Sequence, residues 1–397
     1  MRPSPRPLVT GFTIDPLDAC ELDDAIDICK RPQGWRLAVS VADVAAHVQA
    51  GSDEDQQAYQ RAFTRYFDSG REPMLPQTLA EERLSLLPGQ LRDTLTFTMD
   101  FNTRLEVIRL DIQQTQLGNE AQLTYDDVSE ILDTPSHAQH VYWREALELA
   151  EGLFKQRQQR GALAIFDLGN ALRSTEEGKL LRLSEGSSHQ AYLIVQECMI
   201  AANHSVTAYL LEQGVPLLFR NQTSIHEDIR EQYLSELQPL LRDPSAEMIE
   251  QINHHLARLL DRAHYSPVNQ GHVGLNLSCY AHWTSPLRRY ADLVNHHLLR
   301  AWLHDQALPY GRRELELIGA HLDDVVGEMR QLRILDKQRA KAKRLRQDDE
   351  ATLAALESKE MTSLIESLAS GQIEWCASRV AEIERRLSDD ALTISDI

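Results

Sequence analysis

Cysteine is sparse. The five residues Cys20, Cys29, Cys198, Cys279 and Cys376 are odd in number, far apart and without a C-x-x-C pair. That spacing excludes a thiolate zinc cage and a disulfide framework, and it fits a reducing compartment such as the cytoplasm. No run of about 18 apolar residues occurs. The first seven residues hold three prolines and two arginines instead of the apolar core of a secretory signal. Neither a membrane span nor export is expected, and internal repeats are missing too. Positive charge is in deficit: 60 acids face 41 bases, for a formal net charge of −19. The far field of such a chain repels polyanions, so a nucleic-acid partner needs a local basic channel or bound divalent cations.

What remains is ample for a core. The 397 residues are 42% hydrophobic and 25% charged, enough for one large domain or two ordinary ones. Between Gly11 and about Gln114 the pattern alternates, with Trp35, Leu37, Val39 and Val41, then Leu95, Phe97 and Met99, then Ile108, Leu110 and Ile112 on single faces. Period two predicts a mixed β-sheet there. One helix interrupts it at about Asp53–Tyr66, capped by Ser52. From Tyr125 onward a 3.6-residue period takes over, predicting helices near 138–160, 190–213, 226–241, 246–263, 287–304 and 312–346. The fold class expected is α+β. Along the last of these helices, Arg330 to Arg346 carry eight bases against the single acid Asp336. Such a run reads either as a solvated helix face or as a phosphate-tracking surface.

Two segments carry chemistry. In the first, Asp15, Asp18, Glu21, Asp23 and Asp24 crowd into ten residues with no base among them. A strand ending at Asp15, stopped by Pro16, and a loop closing at Asp23-Asp24 converge these carboxylates. Hard divalent cations take such oxygen donors, and Mg²⁺ shares its shell with substrate phosphates. A pair of such ions assists in-line cleavage of a phosphodiester. A structural cation site or a plain acidic turn has the same composition, although the EF-hand spacing is not met. The second segment runs from Gly271 to Tyr290 and contains Thr284-Ser285-Pro286-Leu287-Arg288-Arg289. Thr284 or Ser285 is placed to cap a helix opened by Pro286, and the two guanidinium forks follow within one turn, which is equipment for binding phosphate. His272, His282, His296 and His297 lack a metal-binding spacing and read better as packed histidines.

Together the two blocks, T-I-D-x5-E-x-D-D as it stands here and G-H-x-G-L…Y-x-H-W-T-S-P-L-R-R-Y, resemble the signatures of the RNase II/RNase R (RNB) family of 3′-to-5′ exoribonucleases. Arg61–Tyr66, Met74-Leu-Pro76 and Glu197–Asn203 add to the likeness, which covers about residues 10 to 345 in order. The resemblance implies an RNB-type catalytic domain at 10–346, a mixed sheet followed by a mainly helical region around a narrow channel. It implies a Mg²⁺ site, with Mn²⁺ as the alternative ion, and single-stranded RNA as substrate, released as nucleoside 5′-monophosphates. Carried over by position, Asp15, Glu21, Asp23 and Asp24 hold or orient the metals, and Arg288 faces the scissile phosphate. Tyr66 stacks on the terminal base, with Phe166 as its counterpart. His272, Thr284, Ser285, Arg288 and Arg289 form the RNA-binding block, and Asp336 is the acid nearest the family's late-helix glutamate.

The chain departs from that pattern in places. Glu21 stands where the family has aspartate, and Gln222 where its R-x-H element has histidine. The acidic loop begins within fifteen residues of Met1, and only residues 347–397 follow Arg346, with twelve acids and four bases. Neither the flanking cold-shock-type OB domains of the family nor an intact S1 domain is expected. The 347–397 extension reads as mainly helical, with Ile373–Val380 as a strand remnant. A protein partner supplying grip on RNA is one consequence. The alternative reading is a catalytically weakened RNB-like protein that binds RNA or protein without turnover; the sequence fixes no oligomeric state.

Overall fold

The computed structural model describes residues 6–67, 70–162, 166–167, 172–174, 180–182, 189–223, 253, 260–346, 353–354, 356, 358–371 and 373–389. Contact packing divides the chain into two units, Met1–Asp323 and Asp324–Ile397. The first begins with β1 (Leu8–Asp15), β2 (Asp24–Arg31) and β3 (Gly34–Ala42). After α1 (Asp53–Arg61) come the hairpin strands β4 (Arg65–Phe67) and β5 (Gly70–Glu72), then β6 (Leu91–Phe101) and β7 (Val107–Thr124).

The expected mixed sheet closes on itself as a barrel in the order β1-β2-β3-β6-β7. The seam is a parallel pairing of β1 with β7, from Leu8 opposite Gln116 to Asp15 opposite Thr124, and the other pairs are antiparallel. Closure leaves no open edge to be covered. Leu37, Val39 and Val41 sit in register with Met99, Phe97 and Leu95, all fully buried, and they join one core with Trp143, Leu147 and Ile194. Alternate positions carry hydroxyls that satisfy one another: Ser40 with Thr96 at 2.8 Å, Thr94 with Thr115 at 2.6 Å and Thr96 with Thr115 at 2.7 Å. The β2–β3 turn needs Gly34. At its φ of +139° a Cβ would lie 1.9 Å from the Phe101 carbonyl oxygen.

The helices that cover the barrel follow: α2 (Tyr125–Asp133), α3 (His140–Gln159) and α4 (His189–Glu212). A capping box at Thr124 and Asp127 starts α2 directly from the end of β7. Three short strands, β8 (Phe166–Asp167), β9 (Leu172–Ser174) and β10 (Leu180–Arg182), form a separate sheet, and β11 (Phe219–Asn221) pairs with β12 (His264–Ser266). Then come α5 (Tyr290–Leu303) and α6 (Arg312–Arg346), which runs across the division between units. The helix expected at 226–241, and most of that expected at 246–263, lie outside the described residues; 264–266 are strand.

Two expected boundaries differ. The helix predicted to reach Tyr66 stops at Arg61, where Ala62 takes a φ of 62°, because Phe63 and Thr64 turn away to pair with Arg289 and Arg288. In the second unit, α7 (Ser358–Ala369) and α8 (Ala377–Ser388) pack Leu353, Leu356, Met361, Leu364, Ile365 and Leu368 against Ile383. Ala377–Val380 is thus the first turn of a helix rather than part of a strand remnant. No described helix is long and apolar enough to cross a membrane, and all five cysteines are free thiols.

Candidate active site

The acidic loop is pinned by backbone bonds at both ends. Ala19 N–H turns back to the Pro16 carbonyl at 3.0 Å, and Leu22, fully buried, donates to Ser85 Oγ at 3.0 Å while its carbonyl accepts from Leu86. Ser85 Oγ in turn donates to the Cys20 carbonyl at 2.8 Å. The Asp23 carbonyl accepts from Ala42 N–H at 2.9 Å, which registers the loop exit against the end of β3. With Leu22 fixed as a plug, Glu21 and Asp23 on either side are drawn inward to 6% and 2% exposure.

Asp23 meets the second motif. Its Oδ1 accepts from Leu287 N–H at 2.7 Å and its Oδ2 from Arg288 Nε at 2.9 Å, joining segments 264 residues apart in sequence. Arg288 also donates from Nη2 to Ser285 Oγ at 2.9 Å. Pro286 does not open a helix: residues 286–288 form a turn closed by Arg289 N–H on the Ser285 carbonyl, and α5 begins only at Tyr290, with Arg289 as its N-cap. The cap expected from Thr284 or Ser285 is therefore not formed. Asp292 supplies what replaces it. Fully buried, it accepts Ser285 N–H at 2.8 Å and holds Arg289 through both oxygens at 2.8 and 2.9 Å. Burial pushes the Asp292 carboxyl up, but the charges of Arg289 and His282 and the hydrogen bonds from Arg289 and Ser285 together outweigh it and hold the group below the ordinary range. Asp292 was missed from sequence, although its i,i+3 spacing from Arg289 was a readable signal.

These elements surround a cavity of about 570 Å³ whose wall includes Asp15, Asp24, Thr284, Ser285, Arg288 and Arg289. Tyr125 and Tyr192 also line it, stacked at 3.8 Å between ring centres, together with Arg157 and Gln196. Arg157 is tied to buried Glu197 by Nε at 3.0 Å and Nη2 at 2.5 Å. Burial raises the Asp15 carboxyl to about 6, opposed by the charge of Arg288. Burial likewise raises Asp23 to about 7, again against Arg288. Asp24 is pushed well above the carboxylate range by burial and then by the charges of Asp15 and Asp23. Such mutual repulsion marks carboxylates short of positive charge.

The sequence-predicted residues separate into groups. Asp15, Asp24, Thr284, Ser285, Arg288 and Arg289 share the cavity wall; Asp23 stands behind Arg288 and off that wall. Glu21 is also off that wall, within electrostatic reach of Arg288 and Asp23, with Oε1 accepting from Thr64 Oγ1 at 2.9 Å and Oε2 from the Tyr66 hydroxyl at 3.1 Å. The Tyr66 side chain is otherwise open to solvent, at 58% exposure. His272 is buried, accepts Leu275 N–H at Nδ1 and packs on Tyr280, while its neighbours Gly274 and Leu275 reach the wall. Phe166 belongs to β8 and Asp336 to α6, but their side chains lie outside the described residues. His296 and His297 are buried, bonded to the carbonyls of Trp283 and Val48, and kept neutral by burial, as packed histidines are.

The donor set fits a hard divalent ion: the cavity offers carboxylate oxygens from Asp15 and Asp24, and no thiolate or imidazole. Among the described residues no three Asp, Glu, His or Cys side chains converge as a protein-only cage. Mg²⁺ takes one or two carboxylates and shares its other positions with substrate phosphates and water.

Ribonuclease R of Aquifex aeolicus is 32% identical over 340 residues, 78% of this chain and 48% of that protein. Ribonuclease R of Escherichia coli is 31% identical over 324 residues, 74% of this chain and 39% of that protein. The chain thus spans about half or less of the length of the curated relatives it matches. Among solved structures, Mycoplasma genitalium RNase R in complex with ribose-methylated single-stranded RNA shares the fold at a TM-score of 0.70 and 24% identity, over 93% of this chain and 59% of that one. Yeast Ssd1, a pseudonuclease, shares it at 0.65 and 20%, over 81% of this chain and 43% of that one. The RNB domain model matches residues 8–305, taking in the barrel, the acidic loop and the Arg288 turn together, and the chain belongs to the RNB domain family.

Proposed function

We propose that this chain is a divalent-cation-dependent hydrolase that shortens single-stranded RNA from its 3′ end and releases nucleoside 5′-monophosphates. The observation that carries the reading is the meeting of Asp15, Asp24 and Arg288 on one cavity wall, with Arg288 fixed by Asp23 at 2.9 Å. Asp15 and Asp24 would hold Mg²⁺ or Mn²⁺, with Asp23 next to them. Bound there, the ion supplies Lewis-acid charge against the phosphate and acidifies water.

The chain's own groups do the rest. Arg288 keeps a side chain 42% exposed on the wall, so its guanidinium can face the scissile phosphate and oppose charge that develops as the bond breaks. Asp23 fixes that guanidinium through Nε and Ser285 through Nη2, leaving Nη1 for the substrate. Asp15 and Asp24, on the same wall, would orient water beside the ion. The resemblance to Ribonuclease R supplies the RNA substrate and the 3′-to-5′ direction. A divalent cation bound beside Arg288 and Arg289 would offset the repulsion of a phosphate chain by a net charge of −19.

Purified protein incubated with 5′-labelled single-stranded RNA and Mg²⁺ should yield a ladder of one-nucleotide losses, with DNA left intact. RNA that is bound but never shortened would instead assign binding without turnover.

A further inference from the structure

Glu21 stands where the resemblance calls for aspartate among the metal-holding acids, yet it is absent from the cavity wall, and both of its oxygens are taken by hydroxyls of the segment leading into the β4–β5 hairpin. Thr64 Oγ1 donates to Oε1 at 2.9 Å and itself accepts Met74 N–H at 3.0 Å, while Thr64 N–H is held by the Arg288 carbonyl at 3.0 Å. Tyr66 OH donates to Oε2 at 3.1 Å, although the rest of that residue stands in solvent. The hairpin behind Tyr66 is short, with three residue pairs, so its backbone alone holds the ring weakly. Arg71, opposite Tyr66, pairs with Glu81 at 2.8 Å and reaches Glu21 by its charge without a hydrogen bond between them. An aspartate would retract the carboxylate by about 1.5 Å, one bond length, and carry both contacts beyond hydrogen-bonding range.

We propose that Glu21 is a positioning residue for Tyr66 and not a ligand of the ion: its longer side chain ties the rim of the acidic loop to the phenol and presents the exposed ring as a fixed platform for an RNA base. A charge-assisted bond of this kind restricts an otherwise mobile aromatic, and the ordering cost is then met before the base arrives. The inference rests on the exoribonuclease reading only for the identity of the ligand.

The test is the affinity of a fluorescein-labelled oligoadenylate for the full chain, read by anisotropy in EDTA, so that neither the cation nor turnover contributes. Tyr66→Phe, which keeps the ring and removes the hydroxyl, and Glu21→Asp should each weaken binding by about fivefold, the order of one net hydrogen bond. The double variant should cost no more than either single one. Glu21→Gln, which keeps the reach, should bind at least about threefold tighter than Glu21→Asp. A ligand of the ion predicts the reverse order in Mg²⁺ titrations, with Glu21→Asp the milder change. Additive costs, a weaker Glu21→Gln than Glu21→Asp, an unchanged affinity for Tyr66→Ala, or no wild-type binding would each overturn the proposal. Intact coupling in a chain that never shortens RNA in Mg²⁺ would refute the hydrolytic reading and leave this one standing.

Discussion

Asp24→Asn separates the site's chemistry from its stability. Asp24 is half-buried beside the charges of Asp15 and Asp23, and each of the three carboxyls holds its proton more tightly in the folded chain than at the ordinary value of 3.8. Between about pH 4 and pH 7 the unfolded chain has already lost protons that the folded chain keeps, so the contribution of these groups to stability is greatest at low pH and falls as pH rises through about 6 for Asp15 and about 7 for Asp23. For Asp15 alone the shift corresponds to about 3 kcal/mol at most. The three groups are coupled and do not add. Removing the central charge should recover about 1–3 kcal/mol at pH 8, which in a unit of this size is roughly 2–6 °C in Tm. Melting curves in EDTA should therefore show Asp24→Asn above wild type at pH 8, with the gap closing only below about pH 4. Mg²⁺ or Mn²⁺ should raise the wild-type Tm at pH 8 and leave the variant nearly unmoved, while RNA shortening by the variant falls at least about 100-fold. A variant less stable than wild type at pH 8, together with a wild type indifferent to either ion, would refute the reasoning.

Other outcomes follow from the same contacts. Asp23→Asn keeps an acceptor for Leu287 N–H but not for Arg288 Nε, so hydrolysis should fall at least about 100-fold while RNA retention in a filter assay persists. Arg289→Ala strands the fully buried Asp292 and should cost about 3–5 kcal/mol in urea unfolding at pH 7. Because Arg289 holds the Asp292 carboxyl below its ordinary range, the stability that the pair contributes is present above about pH 4 and lost on acidification, so the variant's deficit should shrink at low pH. If the basic run at 330–346 tracks phosphates, neutralising Lys337, Lys341 and Arg344 should flatten the plot of log affinity against log salt by about 2 in slope. An unchanged slope would remove that role.

Periodicity made the covering helices legible: α3 and α4 lie within two residues of the spans expected at 138–160 and 190–213, since a buried stripe such as Leu193, Ile194 and Cys198 is a local signal. The alternation of Leu37, Val39 and Val41 likewise gave strands. It could not give the barrel, because closure depends on β1 meeting β7 across more than a hundred residues of chain. The late start of α5 had the same kind of cause. Asp23 and Asp292 claim the N–H groups of Leu287 and Ser285, and these tertiary bonds override the helix-opening preference of Pro286. At the site, the family resemblance implied the meeting of Asp15, Asp24 and Arg288, but not which acids face the cavity. Glu21 and Asp23 flank the buried Leu22, and their direction was set by hydroxyl and guanidinium partners far away in sequence. The aromatic pair Tyr125 and Tyr192 was also missed, since either ring alone reads as core.

The most direct measurement follows one labelled phosphorus atom. Single-stranded RNA carrying label on the phosphate between its last two nucleotides is mixed with excess protein in Mg²⁺, and the first products are separated by chromatography. In-line attack at the wall formed by Asp15, Asp24 and Arg288 puts the label into the nucleoside 5′-monophosphate of the terminal residue within the first turnover. Label that stays in the full-length strand, or that emerges on a 3′-phosphate, would contradict the account.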